Sequence, residues 1–81
     1  MVRPGTYRHF SGGLYEVVSV GHHIVANGID ELPQHEVVIY HALFTSERFG
    51  DNHWWVRPVE NFVESVEFEG TTVSRFVRVY D

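Results

Sequence analysis

The stretch HWWVRPVENF, residues 53–62, decides the fold, because two adjacent tryptophans run into a proline in it. On a β-strand, successive side chains point to opposite faces of the sheet. Trp54 and Val56 therefore share one face, and Trp55 and Arg57 share the other. Valine is the natural core residue among these four, so we expect Trp54 and Val56 to pack inward or to cover a barrel end.

The rest of the chain shows strand periodicity between turn signals, and helical periodicity is nearly absent. The run EVVIYHALF, residues 36–44, is apolar on both faces, which is typical of the most buried strand of a domain. We predict strands over residues 6–10, 14–24, 36–44 and 53–57 and a closing hairpin around Gly70.

Two interruptions separate the second strand from the third. Gly21 lies within the second strand and predicts a bulge or bend there. Residues 26–34 form the longest polar interruption, and their Asn27-Gly28 pair is typical of a two-residue hairpin turn. Pro33 lacks the N–H group that a central strand needs, so we expect no central strand near it.

The segment PVENFVE, residues 58–64, predicts one helical or 3₁₀ turn, because proline suits its first position. We expect Val59, Phe62 and Val63 to face inward from that turn. Short sequential strands, tight turns and one helical turn before the last hairpin predict an all-β fold. Residues 1–81 would form a single, partly open SH3-like barrel of five to six strands.

Composition limits the functions that this chain can have. With 81 residues it is one domain with a small core, and it has no cysteine for a disulfide or a thiolate metal site. Its formal net charge is −5, with six arginines and no lysine, which disfavours generic nucleic-acid binding. We see no apolar run of a signal peptide or a membrane span, and therefore expect a cytoplasmic protein without membrane contact or cofactor.

Three blocks of the sequence carry a resemblance to a known family: PGTYRHFSGGLYEVV at residues 4–18, EVVIYHALF and WVRPVENF. Together they resemble the small bacterial family of domains of unknown function numbered 1653, over nearly the whole chain. The resemblance implies an SH3-like β-barrel and supplies no activity. The positions that match it are Pro4, Gly5, Tyr7, His9, Gly12, Tyr15, Val17, Val38, Tyr40, Leu43, Trp55, Val56, Arg57, Pro58, Phe62, Arg75 and Phe76.

The chain departs from the family pattern in three places. Asn61 stands where the family prefers methionine, and Ser74 stands where it prefers proline. Residues 22–35 replace a compact His-Ser-Glu-Thr segment, so no function of that loop is carried over. Trp55, rather than Trp54, is the tryptophan that matches the pattern.

The face that carries Trp55 and Arg57 has two interpretations. In the first, Trp55 caps an open barrel end and Arg57 pairs with an internal carboxylate such as that of Glu36 or Glu60. In the second, the face is a shallow ligand site with an aromatic wall and an arginine that binds an anion. Its candidate residues are Trp55, Arg57, Tyr40, His9, Arg8 and Arg75.

Metal binding and catalysis find little support in the sequence. The six histidines show no tight ligand spacing, so we predict no metal site, and there is no nucleophile elbow or phosphate-binding loop. His9 and Glu36 would make an acid–base pair only if they were adjacent in space. We expect His9 and His41 to form hydrogen bonds within the fold. We expect exposed positions for His22, His23 and His53.

We therefore favour a non-enzymatic binding or regulatory module whose partner is a small anion, a nucleotide or an acidic peptide. The alternative is a structural domain that forms a homodimer, since the segment HHIVANGI offers a strand edge with no lysine to guard it. A metal-dependent or acid–base enzyme is the remaining hypothesis.

Overall fold

A computed structural model describes residues 2–26 and 31–79 of the chain and shows nine strands and one short helix there. The elements are β1 (Gly5–His9), β2 (Leu14–Ala26), β3 (Glu31–Ala42), β4 (Thr45–Ser46), β5 (Gly50–Asp51), β6 (Trp54–Pro58), α1 (Val59–Phe62), β7 (Ser65–Phe68), β8 (Thr71–Ser74) and β9 (Phe76–Arg78).

Five strands form the main sheet, in the order β6-β3-β2-β1-β9, and each neighbouring pair is antiparallel. Two small hairpins, β4–β5 and β7–β8, stand beside it. The prediction of an all-β domain with one helical turn is confirmed. Hydrogen bonds do not join β6 to β9 in the described residues, so the sheet is open, and the SH3-like barrel stays a prediction.

One face of the sheet, called the inner face below, carries the core. Residues directly opposite each other on paired strands share a face. The pairs Tyr40–Trp55 and Val38–Arg57 therefore place β6 side chains on the same face as two buried residues of β3. The buried residues that form the core cluster are Val2, Tyr7, Val17, Val38, Tyr40, Phe62 and Phe76.

The alternation predicted for residues 53–57 is correct, but the choice of the inward face was wrong. Trp54 is 57% exposed and Val56 is 63% exposed, while Trp55 is 36% exposed. The reason is that β6 is an edge strand whose inner face is set by β3, and β3 presents Val38 and Tyr40 to Arg57 and Trp55. Valine in an edge strand can therefore point to solvent while tryptophan lies over the core.

Strands β2 and β3 are longer than predicted and extend through part of the segment that we expected to be a polar interruption. The bulge predicted at Gly21 was wrong. The register between β2 and β3 is irregular at two other places, between Val17 and Ser19 and between His22 and Ile24. Pro33 lies in β3, opposite Ile24, where β6 does not reach, because β6 pairs only from Val37 onward. The predicted Asn27-Gly28 turn lies outside the described residues.

The apolar run of β3 is buried on both faces, as predicted, because Val37, Val38, Tyr40 and Ala42 are all buried. Leu43 and Phe44, at the end of that run, lie beyond the strand and are exposed.

Helix α1 follows β6 directly and packs Phe62 into the core. Pro58 precedes it with φ −54° and ψ 138°, an extended conformation that suits the residue before a helix. Phe62 is 2% exposed and stacks on Phe76, with ring centroids 4.1 Å apart. Val59 packs against the core as expected, but Val63 is 60% exposed, so its predicted inward position was wrong.

The predicted closing hairpin is shorter than expected. It comprises β7 and β8, which turn through Glu69 and Gly70 with positive φ angles of 52° and 77°. After β8 the chain bends at Arg75, and β9 leaves the hairpin to pair with β1. Phe76 thereby lies opposite His9 on the inner face. Within the described part of the chain, no helix has the length and apolar character that crossing a membrane requires.

Candidate functional site

Arg57 projects from β6 over the aromatic core of the inner face. Its Nε–H donates to the Tyr40 hydroxyl at 3.0 Å, and its Nη1 donates to the side-chain oxygen of Asn61. Its guanidinium carbon lies 5.7 Å from the centre of the Phe76 ring, within the range of a cation–π contact. Phe76 is at the opposite end of the strand order from Arg57, so the sheet curls enough for the Arg57 side chain to reach a ring of the other edge strand.

The charge of Arg57 is not neutralised by an acid. No carboxylate of the described residues lies within ion-pair distance of it, and neither Glu36 nor Glu60 is its partner. A guanidinium group has five N–H donors, and among the described residues only two of those of Arg57 have an acceptor. Both acceptors are neutral, so these hydrogen bonds leave the positive charge of Arg57 unbalanced.

Asn61, in α1, links Arg57 to Arg75. Its side chain accepts from Arg57, and its main-chain carbonyl accepts from Arg75 Nε at 3.1 Å. Arg75 also donates from Nη2 to a Glu64 carboxylate oxygen at 2.9 Å. Arg75 therefore fixes the end of the helix, and its own charge is partly neutralised.

His9 lies next to this group, at the end of β1. Its ring centre is 5.0 Å from that of Phe76 and 6.3 Å from that of Tyr15. The Ser11 main-chain N–H donates to His9 Nδ1 at 3.2 Å, and the Ser11 hydroxyl lies 2.7 Å from the same nitrogen. An accepting Nδ1 places the proton of a neutral ring on Nε2.

Burial, together with the positive charges of Arg57 and Arg75, holds the pKa of His9 below its ordinary value. The cations act on His9 because all three groups surround the same aromatic core. At neutral pH, His9 is therefore a neutral ring beside two guanidinium groups.

The tyrosines below Arg57 are structural. Tyr40 is 3% exposed, so it forms the floor of the site rather than the exposed wall that the sequence suggested. Its ring meets Tyr15, Phe62 and Phe76 edge to face, at 5.5 to 5.6 Å between centroids. Burial is the main cause that raises the pKa of Tyr15, and the neighbouring Tyr40 raises it further. The positive charge of Arg57 partly offsets that rise. The Tyr15 phenol is therefore neutral at neutral pH.

Trp55 is the exposed ring of the site and belongs to a second aromatic group next to Arg57. Phe49 and His53 contact it, with ring centroids 5.0 and 4.6 Å from its own. His53 is therefore half-buried, contrary to our expectation that it is exposed. These rings, with Tyr15 and Phe44, line a cavity of about 210 Å³.

Of the six residues predicted for a site, five surround the inner face: Trp55, Arg57, Tyr40, His9 and Arg75. Arg8 does not join them, because it alternates with His9 on β1 and pairs with Leu14 and Val77 on the outer face. His9 and Glu36 are not brought together either. Glu36 lies opposite His22 in the β2–β3 pair, whereas His9 lies opposite Phe76.

Several contributors to the site were not selected from the sequence, among them Asn61, Phe49 and Phe76. Asn61 was noted only as a departure from a family pattern, and its contact with Arg57 depends on how helix α1 follows strand β6. Phe49 lies in a turn, where periodicity gives no signal. Phe76 required knowledge that β9 returns to β1.

Histidine and acidic side chains do not form a metal site in the described part of the chain. No three such residues there are grouped closely enough to hold a metal ion. His41 Nδ1 lies 3.1 Å from the Ala42 carbonyl oxygen, within the fold as expected, and His22 and His23 are exposed.

A family model described as a protein of unknown function, DUF1653, matches residues 5–78. The match runs from the first residue of β1 to the last residue of β9 and therefore includes every residue of the site. Searches of the curated proteins and of the solved structures found no significant match.

Proposed function

Because the chain belongs to DUF1653, a family of proteins of unknown function, we propose its function from its own geometry. The protein is a non-enzymatic binding module that holds a small oxyanion, such as a phosphate or carboxylate group, against Arg57. The observation that carries the proposal is that, among the described residues, Arg57 is held by neutral partners only.

The partners of Arg57 support this function because they orient the guanidinium group without cancelling its charge. Tyr40 and Asn61 hold its Nε and one Nη1 donor. The other Nη donors form the two-pronged arrangement that matches phosphate and carboxylate oxygens. An arginine orientated in advance loses less entropy when it binds an anion than a mobile one does.

The surroundings of Arg57 strengthen its attraction for an anion. The Phe76 ring beneath it and the buried core provide a medium of low polarity, in which charge interactions are stronger than in water. His9, whose ring also contacts Phe76, adds an N–H donor near Arg57. The two side chains are close enough for the charge of Arg57 to lower the pKa of His9. The site is therefore a local positive region in a chain of net charge −5.

A calorimetric titration of the protein with inorganic phosphate at low salt tests the proposal. We expect saturable binding to the wild-type protein and at least about tenfold weaker binding to Arg57→Gln, which loses the charge and the fork. Arg8→Gln is the matched control, because Arg8 is an exposed arginine on the outer face, and it should bind phosphate like the wild type. Equal binding by Arg57→Gln and the wild type would contradict an anion site at Arg57.

We propose self-association as a second candidate function, supported by the open edge of β2. Strand β1 pairs with β2 only as far as Val17, so the following residues of β2 have no strand on that side among those described. Ile24 on this part of β2 is exposed, and no lysine guards the edge. A second copy of the chain would complete the pairing across a two-fold axis.

Light scattering at increasing protein concentration tests the second candidate. We expect a dimer whose dissociation is promoted by Ile24→Lys, since an edge lysine opposes strand pairing. Val56→Lys on the edge strand β6, away from the open part of β2, is the control and should leave the dimer intact. A wild-type protein that remains monomeric at millimolar concentration would exclude this function.

A further inference from the structure

The cavity beside Arg57 has the size of a single aromatic ring system. Its volume is about 210 Å³, and an apolar cavity of about 150 Å³ already holds benzene. It opens between the inner face and the β4–β5 hairpin, which contributes Ser46 and borders Phe49. The floor is Tyr15 and Ala42, which also belong to the inner face.

The walls of the cavity are rings set at nearly right angles. Phe49 and Trp55 meet at 83°, and Tyr15 and Phe44 meet at 79°. A further flat ring in this cavity can therefore lie with its face against one wall and its edge against another. Trp55 and Phe49 are both exposed, so a ligand reaches them directly from solvent.

The charges around the cavity favour an anionic ligand over a cationic one. Aromatic walls also bind ammonium groups, but none of the described residues that line this cavity is acidic. Two arginines lie close to it instead. Arg57 is two residues from Trp55 on the same strand face, and the guanidinium carbon of Arg48 lies 5.3 Å from the centre of the Phe49 ring.

We propose that the ligand is a planar aromatic molecule that carries an oxyanion, with its ring in this cavity and its anionic group on Arg57. The inference rests on the proposed function of Arg57 and names the class of molecule that this site takes. Residues two apart on a strand have Cα atoms about 6–7 Å apart and share a face, so Trp55 and Arg57 are neighbours on the inner face. Phenyl phosphate and nucleoside monophosphates have this combination of groups.

A comparison of two ligands and two tryptophans tests the inference. Inorganic phosphate and phenyl phosphate are titrated into the wild-type protein, Trp55→Ala and Trp54→Ala. We expect the wild type to bind phenyl phosphate about tenfold more tightly than inorganic phosphate, because stacking on aromatic side chains adds to the anion contact. Trp55→Ala should lose that advantage and retain phosphate binding within about twofold. Trp54→Ala, the matched control on the outer face, should retain both affinities.

The result also separates this inference from the proposed function. Phosphate binding that depends on Arg57, with no gain from the phenyl ring, would overturn the aromatic ligand and leave the anion site in place. Absence of all phosphate binding would overturn both. Saturable binding of tetramethylammonium in place of phosphate would identify a cation cage and would also overturn the inference.

A measurement on the wild-type protein guards against misfolding of Trp55→Ala. We expect nuclear Overhauser contacts between the phenyl protons of bound phenyl phosphate and the indole protons of Trp55. Contacts to Trp54 alone would place the ring on the outer face and overturn the inference.

Discussion

Arg57 is bound within the fold by neutral groups, and this determines what its removal costs. Arg57→Ala removes two hydrogen bonds and the contact with Phe76 but leaves no carboxylate stranded among the described residues. We expect the free energy of unfolding to fall by about 1–2 kcal/mol, measured by urea denaturation.

Arg57→Lys is the informative companion of that variant. It keeps the positive charge but cannot donate to Tyr40 and Asn61 in the same planar geometry, so we expect it to recover only part of the lost stability. A loss above ~4 kcal/mol for Arg57→Ala would indicate a buried charge pair and would contradict the neutral environment described above.

His9 reports on the charge of the site through its pKa. The groups that face it are Tyr15 from β2, Arg57 from β6, Arg75 before β9, and Ser11 in its own turn. Burial and the two arginines lower the pKa, so the His9 ring protons in a nuclear magnetic resonance titration should have a midpoint below the ordinary 6.5. Arg57→Gln should raise that midpoint without restoring 6.5, because burial remains, and Arg8→Gln should leave it unchanged.

The sign of the linked pH effects follows from that lowered pKa. The unfolded chain takes up a proton at His9 more readily than the folded one, so His9 contributes no instability above pH 6.5. As the pH falls through 6.5 towards the folded pKa, His9 reduces stability. A bound phosphate reverses the effect, since its negative charge raises the pKa of His9. We therefore expect sulfate, whose charge does not change in this range, to bind more tightly as the pH falls below 6.5, and a sulfate affinity independent of pH would place the anion away from His9.

At the scale of elements, helix α1 shows how four residues can anchor the site. Phe62 packs into the core while Asn61, the residue before it, holds Arg57 and Arg75. We expect Phe62→Ala to cost about 3–5 kcal/mol, because it opens a cavity against Phe76 and Tyr7. Val63→Ala, next to it and largely exposed, should change stability by less than about 0.5 kcal/mol in the same denaturation experiment. Comparable losses for the two variants would contradict the inward position of Phe62.

Strand β6 shows what alternation can and cannot establish. The period of two correctly grouped Trp55 with Arg57 and Trp54 with Val56, because backbone geometry alone imposes it. Which group faces the core depends on the neighbouring strand, and residue type misleads at an edge, where Val56 is exposed. The register Tyr40–Trp55 supplies the missing information, and it is a property of two strands rather than of either sequence.

At the scale of the whole molecule, the predictions that succeeded rest on local rules. The all-β class, the buried run of β3 and the helical turn after Pro58 each follow from a few neighbouring residues. The features that no prediction covered depend on distant contacts. The pairing of β9 with β1 and the contact of Arg57 with Phe76 join residues far apart in the chain, and no periodicity encodes them.

Because β1 pairs with β9, the stability of the domain depends on β9, the last strand in chain order. Truncation before Phe76 removes an edge strand and a buried ring that contacts Phe62, Tyr40 and His9. A domain of this size has a total stability of only about 4–12 kcal/mol, and the ring alone contributes about 3–5 kcal/mol. We expect the truncated chain to show no cooperative unfolding by circular dichroism.

A longer turn between β7 and β8 is the control for that truncation. Two glycines inserted at Glu69-Gly70 lengthen an exposed turn and should cost less than about 1 kcal/mol. Cooperative unfolding of the truncated chain would show that the sheet is stable without β9.

The same strand order has a consequence during synthesis on the ribosome. β1 leaves the ribosome before β9, yet β9 is the second neighbour of β1 in the sheet. The edge of β1 that faces β9 therefore stays unpaired until β9 has been translated. Since Phe76 also lies beneath Arg57, the proposed anion site would form only once β9 is in place. On this proposal, a nascent chain that lacks β9 does not bind the ligand.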